Sequence, residues 1–330
     1  MKKMSVHLVT WNGEKYIPFL FESLRKQSFA DWELKILDNG STDKTVEKIE
    51  KEIKSFPVDI NFTKGKENLG FAKGHNELNK KNSSEYFLLL NQDVYLKPDC
   101  LEKLAKFTDQ NTDIAVVSPR LMRWDFVNKE FTNKIDTLGL RVSRSRRVTE
   151  IATGEEWNEK SAQVCEVFGV SGALPMFRKS VIDRVDLFDE SFGSYKEDVD
   201  LAFRLRSAGH KAFVLLDSVA YHDRSAEGLE KKSDRSASKN KKKQSDWVKY
   251  HSYKNQLTAL YKNEYWQNFL LDLPWILWYE LKKFAWFLLF DRSVLKGLGE
   301  VWKNRKRLKT ERLKIKELRK VDWSGLRFWF

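Results

Sequence analysis

The chain has 330 residues, 41% of them hydrophobic and 13% aromatic, and a formal charge of +13, which supports a large folded core with an appendage or a second domain. Its two cysteines, Cys100 and Cys165, fit no metal or redox spacing and read as reduced thiols of a cytosolic protein. The opening MKKMSVHLVTW lacks a long apolar run, so a signal peptide is not expected.

In chain order, Ser5–Trp11 is an apolar, β-branched run that predicts a strand. Residues 14–27 follow with Ile17, Leu20, Phe21 and Leu24 at helical spacing. A second strand is expected at 33–37, then a helix capped within Ser41, Thr42 and Asp43 and running to Lys54. A strand at 58–62, a helix at 71–81, a strand at 86–90 and a helix at 98–108 come next. Residues 114–118 close this part as another strand. The alternation predicts an α/β fold, a mostly parallel sheet covered on both faces. Segment 124–166 is polar, clusters Arg141, Arg144, Arg146 and Arg147, and reads as a hairpin or a loop over the site. Residues 167–177 are apolar with two glycines, 197–208 are helical, and 212–216 form a further strand.

Ligands of such sheets bind beyond the carboxyl ends of the strands. Those ends here read TWNG with Thr10 and Asn12, LDNGSTD with Asp38, ENLG with Asn68 and Gly70, and NQD with Asn91 and Asp93. Asp38 can accept hydrogen bonds from a base or a ribose, and Gly70 lets backbone approach a ligand closely. Taken singly, each is also an ordinary turn or cap residue. The sequence YKEDVDLAFRL opens a helix with Glu197, Asp198 and Asp200 in its first turn, where the macrodipole favours carboxylates.

Four stretches, VTWNGEKYIPFLFESLRKQSFADWELKILDNGSTDKT, ENLGFAKGHNELN, FLLLNQDVYLKPDCLEKL and YKEDVDLAFRLRSAGHKAFVLLDSVAYH, together resemble the inverting family 2 glycosyltransferases. The nearer resemblance is to their rhamnosyltransferase-like branch, and it covers about residues 5–225. It implies a GT-A (Rossmann-like) fold with helices on both sheet faces. It also implies transfer of a sugar from a nucleotide-diphosphate donor, dTDP- or UDP-linked, to a lipid-linked or polysaccharide acceptor of the cell surface. Asp93 is then a ligand of Mg2+ or Mn2+ that neutralises the departing diphosphate. His222 follows the last strand at the position of a metal or phosphate ligand. Asp198 matches the general base, which an acceptor hydroxyl needs because its pKa lies far above neutrality. Glu197 and Asp200 position acceptor and helix, Ser171 and Gly172 floor the sugar site, and Thr10, Asn12, Asp38, Asn68, Gly70 and Asn91 line the donor site. Arg224 reads either as a phosphate partner or as a solvated arginine.

Charge divides the chain. Residues 1–225 hold 35 Lys+Arg against 35 Asp+Glu, whereas 226–330 hold 25 against 12, with eight of the twelve tryptophans. The organisation expected is a catalytic domain over 1–226, a mobile basic loop over 227–246, and a helical region over 247–330. Residues 269–290 are strongly apolar but contain Asp272, Glu280, Lys282, Lys283 and Pro274. They predict two amphipathic helices, followed by a basic helix at 303–320. These helices meet either an anionic membrane surface or protein, and the membrane reading makes the protein peripheral on the inner face of the cell membrane. A nucleotidyltransferase is disfavoured by the single glycine after the first strand. Nucleic acid is not an expected partner, since no nucleic-acid motif accompanies the basic tail.

Overall fold

The computed structural model describes residues 1–159, 163–224 and 244–330. Of the basic loop expected at 227–246, residues 227–243 lie outside the described residues.

The chain alternates as its apolar periods predict. Strands β1 (Met4–Thr10), β2 (Trp32–Asp38), β3 (Ile60–Lys64) and β4 (Tyr86–Asn91) are interleaved with helices α1 (Ile17–Arg25), α2 (Thr45–Ile53) and α3 (Phe71–Lys80). Then come β5 (Val94–Leu96), α4 (Cys100–Gln110), β6 (Ile114–Asp125), β7 (Glu130–Thr137), β8 (Leu140–Val142) and β9 (Val148–Glu150). β10 (Val164–Glu166), β11 (Met176–Arg178), α5 (Lys179–Val185), α6 (Glu197–Ser207) and β12 (Lys211–His222) complete the sheet part. Its strand order is β10-β12-β6-β11-β4-β1-β2-β3, with β5 on β12 and β7 on β6. β4, β1, β2 and β3 are mutually parallel, and β12 is parallel to β6. Short β11 is antiparallel to both its neighbours, β4 and β6.

Strand β4 shows why the sheet is central. Leu88 and Leu90 enter one core with Leu8, Ile17 and Leu101. Phe87 and Leu89 enter the other, with Val116, Ile182 and Leu201. Successive side chains of a strand point to opposite faces, so an apolar run of this kind is satisfied only between two helical layers. Of the two readings of segment 124–166, its described residues take the hairpin form, β7 paired against β6 and β8 against β9.

The C-terminal helices are α7 (Asp246–Asn263), α8 (Trp266–Phe290), α9 (Lys296–Lys303), α10 (Arg305–Leu318) and α11 (Trp323–Arg327). One continuous helix therefore spans the segment in which two were expected. Pro274 removes the hydrogen bond to the carbonyl of Leu270, but both residues lie on the exposed side of α8. Water can take that carbonyl, so the break is not enforced. The arginine cluster is also placed otherwise than over the site. Arg146 is 1% exposed and pairs with Glu264 at 2.5 Å and Asp272 at 3.0 Å, binding the sheet part to the helices.

Candidate active site

The parallel register brings Thr10 opposite Asp38, and this edge is a closed knot. Thr10 Oγ1 donates to Asp38 Oδ1 at 3.0 Å, and Ser41 donates its backbone N–H to Oδ2 at 2.9 Å and its hydroxyl to Oδ1 at 2.5 Å. Asn12, in the left-handed region at φ 46°, donates its N–H to Ser41 Oγ and accepts from Thr42 N–H. Thr10, Asn12 and Asp38 thus shape the loop through bonds to one another and to its backbone. Gln92, which sequence reasoning passed over, exchanges two 3.0 Å hydrogen bonds with the backbone of Trp11. Its amide imitates a strand neighbour and ties the end of β1 to the end of β4. No pattern in NQD marks that role.

Asn68 and Gly70 form the second element. The Asn68 side chain accepts from Gly70 N–H at 2.8 Å. Gly70 has φ 80°, and a Cβ there would stand 3.1 Å from the carbonyl oxygen of Gly193. The backbone that Gly70 admits is therefore the turn at 193–196, which also accepts from Ala72 N–H at 2.9 Å. That turn is strained. Gly193, Tyr195 and Lys196 have φ of 66°, 71° and 70°, a region costly for side-chain-bearing residues. It delivers Glu197 and Asp198 into the first turn of α6.

Glu197 is buried, and its Oε2 has no hydrogen-bond partner. Burial, then the neighbouring Asp198 carboxylate, push its pKa up to about 8. Asp198 is partly exposed and accepts from Val199 N–H at 2.8 Å and Gly172 N–H at 3.3 Å. Burial also raises Asp198, partly opposed by Lys196. Asp200 is placed elsewhere, at 0% exposure beneath the helix. It accepts from Arg204 and Lys262 at 3.0 Å each and from Asn263 at 2.8 Å. Burial alone would raise it, but Lys262 and Arg204 hold it below the ordinary carboxylate range. Asp200 is thus a bolt between α6 and α7, two residues after Asp198 and so on the opposite side of the helix from it.

Asp93 lies between β4 and β5, and the β5–β12 register sets His222 opposite Val94. His222 Nε2 lies 3.3 Å from Asp93, while its Nδ1 lies 2.9 Å from Asp136. Burial lowers the imidazole pKa, but Asp93 and Asp136 outweigh it and raise the group to about 10. Arg224 pairs with Asp136 at 2.6 Å and with Glu150. For Asp136, Arg224 and His222 overcome burial and keep the carboxyl below its usual range. Asp136 and Glu150 were not singled out from sequence, because nothing local distinguishes them from other loop acids.

These pieces form one site. Asp93, His222, Asp136, Arg224 and Glu150 are linked pair by pair, and the charge of Glu150 reaches Asp198. A second path runs through backbone, since Asn91 N–H donates to Ala173 O at 3.1 Å and neighbouring Gly172 donates to Asp198. Ser171 and Gly172 thereby lie between the β4 end and α6. A divalent cation would find two donors here, Asp93 and His222, the latter only once its Nε2 proton, held in place by Asp93 and Asp136, has left, with the Asp136 carboxylate orienting the ring from behind. Among the described residues no group of three or more such side chains is arranged to hold a metal. Two such side chains would suit a cation that takes its remaining ligands from a bound diphosphate.

The family model described as glycosyl transferase family 2 matches residues 5–185. A curated relative, the poly(ribitol-phosphate) β-N-acetylglucosaminyltransferase TarS of Staphylococcus aureus, is 31% identical over 120 residues. That stretch is 36% of this chain and only 21% of the relative's length. The mannosyltransferase PcManGT of Pyrobaculum calidifontis, solved with GDP-Man and Mn2+, superposes with a TM-score of 0.55 at 17% identity. It covers 99% of this chain and 86% of its own. GalNAc-T7, solved with UDP, GalNAc and Mn2+, gives a TM-score of 0.61 at 14% identity, over 79% of this chain and 48% of its own. These two structures share the fold.

Proposed function

The chain belongs to glycosyl transferase family 2, and on that premise we propose that it is an inverting, metal-dependent hexosyltransferase of cell-surface glycan synthesis. It moves a sugar from a nucleoside diphosphate to a lipid-linked or polysaccharide acceptor. The observation that carries the reading is that ion pairs run from Asp93 to Glu150, whose charge acts on Asp198, while the backbone from Asn91 through Ala173 and Gly172 reaches the same Asp198. A donor-holding group and a base-bearing helix must meet at one place for sugar transfer, and this path joins them.

In this reading Asp198 takes the proton of the acceptor hydroxyl, whose oxygen forms the new bond to the anomeric carbon. The old bond breaks on the opposite face, and its electron pair leaves with the nucleoside diphosphate. Inversion follows from that geometry. The raised pKa of Asp198 strengthens it as a base while leaving it below the hydroxyl it serves. Glu197, neutral at pH 7 when its pKa is about 8, donates a hydrogen bond toward the acceptor. Asp93, with His222 once its imidazole is neutral, would hold Mg2+ or Mn2+, which would supply positive charge beside the departing diphosphate. Support for the cation comes from the Mn2+ in the two solved neighbours. Nucleotide sugars are the donors those neighbours carry or whose parts they carry. A dTDP or UDP carrier is the choice that the family resemblance implies.

The test is release of nucleoside diphosphate from a panel of nucleotide sugars, with Mg2+ or Mn2+ and after chelation. Turnover that is metal-dependent and lost in Asp198→Asn, with donor binding kept, supports the reading. Release of pyrophosphate from a nucleoside triphosphate would instead make the chain a nucleotidyltransferase.

A further inference from the structure

Helix α8 is inside-out. Its face toward the protein buries Asn268, Asp272, Ile276, Lys283 and Phe287, three of them polar. Asn268 donates to Trp323 O at 2.8 Å, Asp272 is held by Arg144, Arg146 and Arg327, and Lys283 pairs with Glu280 at 3.1 Å. The opposite face carries Leu270, Leu277, Leu281 and Leu288, 43–58% exposed. Steps of 7, 11 and 18 residues return to nearly the same direction on a helix of about 3.6 residues per turn, so the four leucines form one straight stripe. A helix packed on protein and facing water has the reverse polarity.

The surroundings of the stripe say what covers it. Each of the four acids between 266 and 310 is turned onto a cation: Asp272 as above, Glu280 on Lys283, Asp291 on Lys249 and Glu300 on Lys254. The exposed charged residues over the same stretch are cationic, among them Lys282, Arg292, Lys296, Lys303, Lys306 and Lys309. Trp266, Trp278 and Trp302 are 65–69% exposed between them. Apolar stripe, exposed indoles and cations without exposed acids match the layers of an anionic lipid surface. A second copy of the same cationic face would instead be repelled. No described helix is long and apolar enough to cross a membrane, so α8 has to lie along it.

We propose that α8 lies flat in the interface of an anionic bilayer, its leucine stripe toward the acyl chains and the nearby cations among the headgroups. Arg144 and Arg146 on Asp272 fasten this helix to the sheet part, so the active site is carried at a set orientation above the lipid. The purpose of the contact rests on the reading of a lipid-linked acceptor. Its test is binding alone, which needs neither donor nor turnover, so either can fail without the other.

The full chain is floated with vesicles of phosphatidylcholine, and of phosphatidylcholine mixed with phosphatidylglycerol. Binding to the mixed vesicles is expected to be at least about tenfold stronger. The combined Leu270→Gln, Leu277→Gln and Leu281→Gln variant is expected to lose about tenfold or more of it at an unchanged melting temperature. Lys282→Gln with Arg292→Gln is expected to lose roughly fivefold per charge on mixed vesicles only. Absence of binding to either vesicle overturns the proposal, as does wild-type binding by the leucine variant. A dimer in light scattering that the leucine variant breaks, with no vesicle binding, overturns it in favour of a second copy.

Discussion

The sheet edge and the helical layer treat buried carboxylates in opposite ways. At the edge, Glu197 and Asp198 share one helix turn with no side-chain cation bonded to either, and both are pushed up in pKa. In the layer behind, Asp200 and Asp272 are more deeply placed but surrounded by bases, and both are held below the usual range. Burying a charge without a partner costs stability, and a fold tolerates that where the charge is used. Paired charges instead fasten one element to another. The two regions also depend on each other. The Asn255 amide of α7 donates to the carbonyls of Phe192, Ser194 and Tyr195, at 2.9, 3.0 and 2.7 Å, and so holds the strained turn that presents the unpaired acids.

The largest expected effect tests the edge. Asp198→Asn should lower sugar transfer by about a thousandfold, within the range of general-base removal, while thermal stability stays level or rises. Full turnover in that variant, measured as diphosphate release, would contradict the base assignment. Asp200→Asn should do the reverse. It takes one carboxylate charge from Lys262 and Arg204, which keep Asp189 and three backbone carbonyls, and should cost about 3 kcal/mol in urea unfolding with donor binding little changed.

A smaller effect sharpens the contrast through pH. The ordinary value for Glu197 is 4.5 and its folded value about 8, so the folded state binds its proton more tightly. Its contribution to stability is full below about 4.5 and is lost as pH rises through 8. Glu197→Gln should therefore raise stability by about 2 kcal/mol at pH 9 and leave it nearly level at pH 4. An equal shift at both pH values would show that the carboxyl is not buried unpaired. For Asp198 the sign concerns rate: transfer should fall on acidification at a higher pH than an ordinary aspartate would give. The smallest effect is Asn255→Ala, with kcat down about tenfold and donor KM little changed, because the loss of about 1 kcal/mol of hydrogen bonding loosens the turn and not the donor edge. A change confined to KM would separate α7 from the catalytic turn.

Much of this was readable in advance. The run at 86–90 is buried throughout, as its lack of charge implies, and α3, α4 and α6 begin or end within two residues of expectation. Asp93 and His222, expected as neighbours only through family resemblance, are brought together by the β5–β12 pairing. Asp136 could not be foreseen, because its partner His222 is 86 residues away and the register of β6, β7 and β12 alone joins them. Asp38 and Gly70 add what residue type alone does not reveal. Their residue types suit a ligand, yet each is engaged by the protein's own backbone or hydroxyls.

Sequence by itself determined the alternation of strands and helices, the two-sided core and the basic, tryptophan-rich tail, because period and composition act over a few residues. Tertiary structure alone decided which acids stay unpaired, how α8 turns its polar side inward, and that α7 braces the catalytic turn. Those depend on charges meeting across distant parts of the chain, and only the packed register brings them within a hydrogen bond of one another.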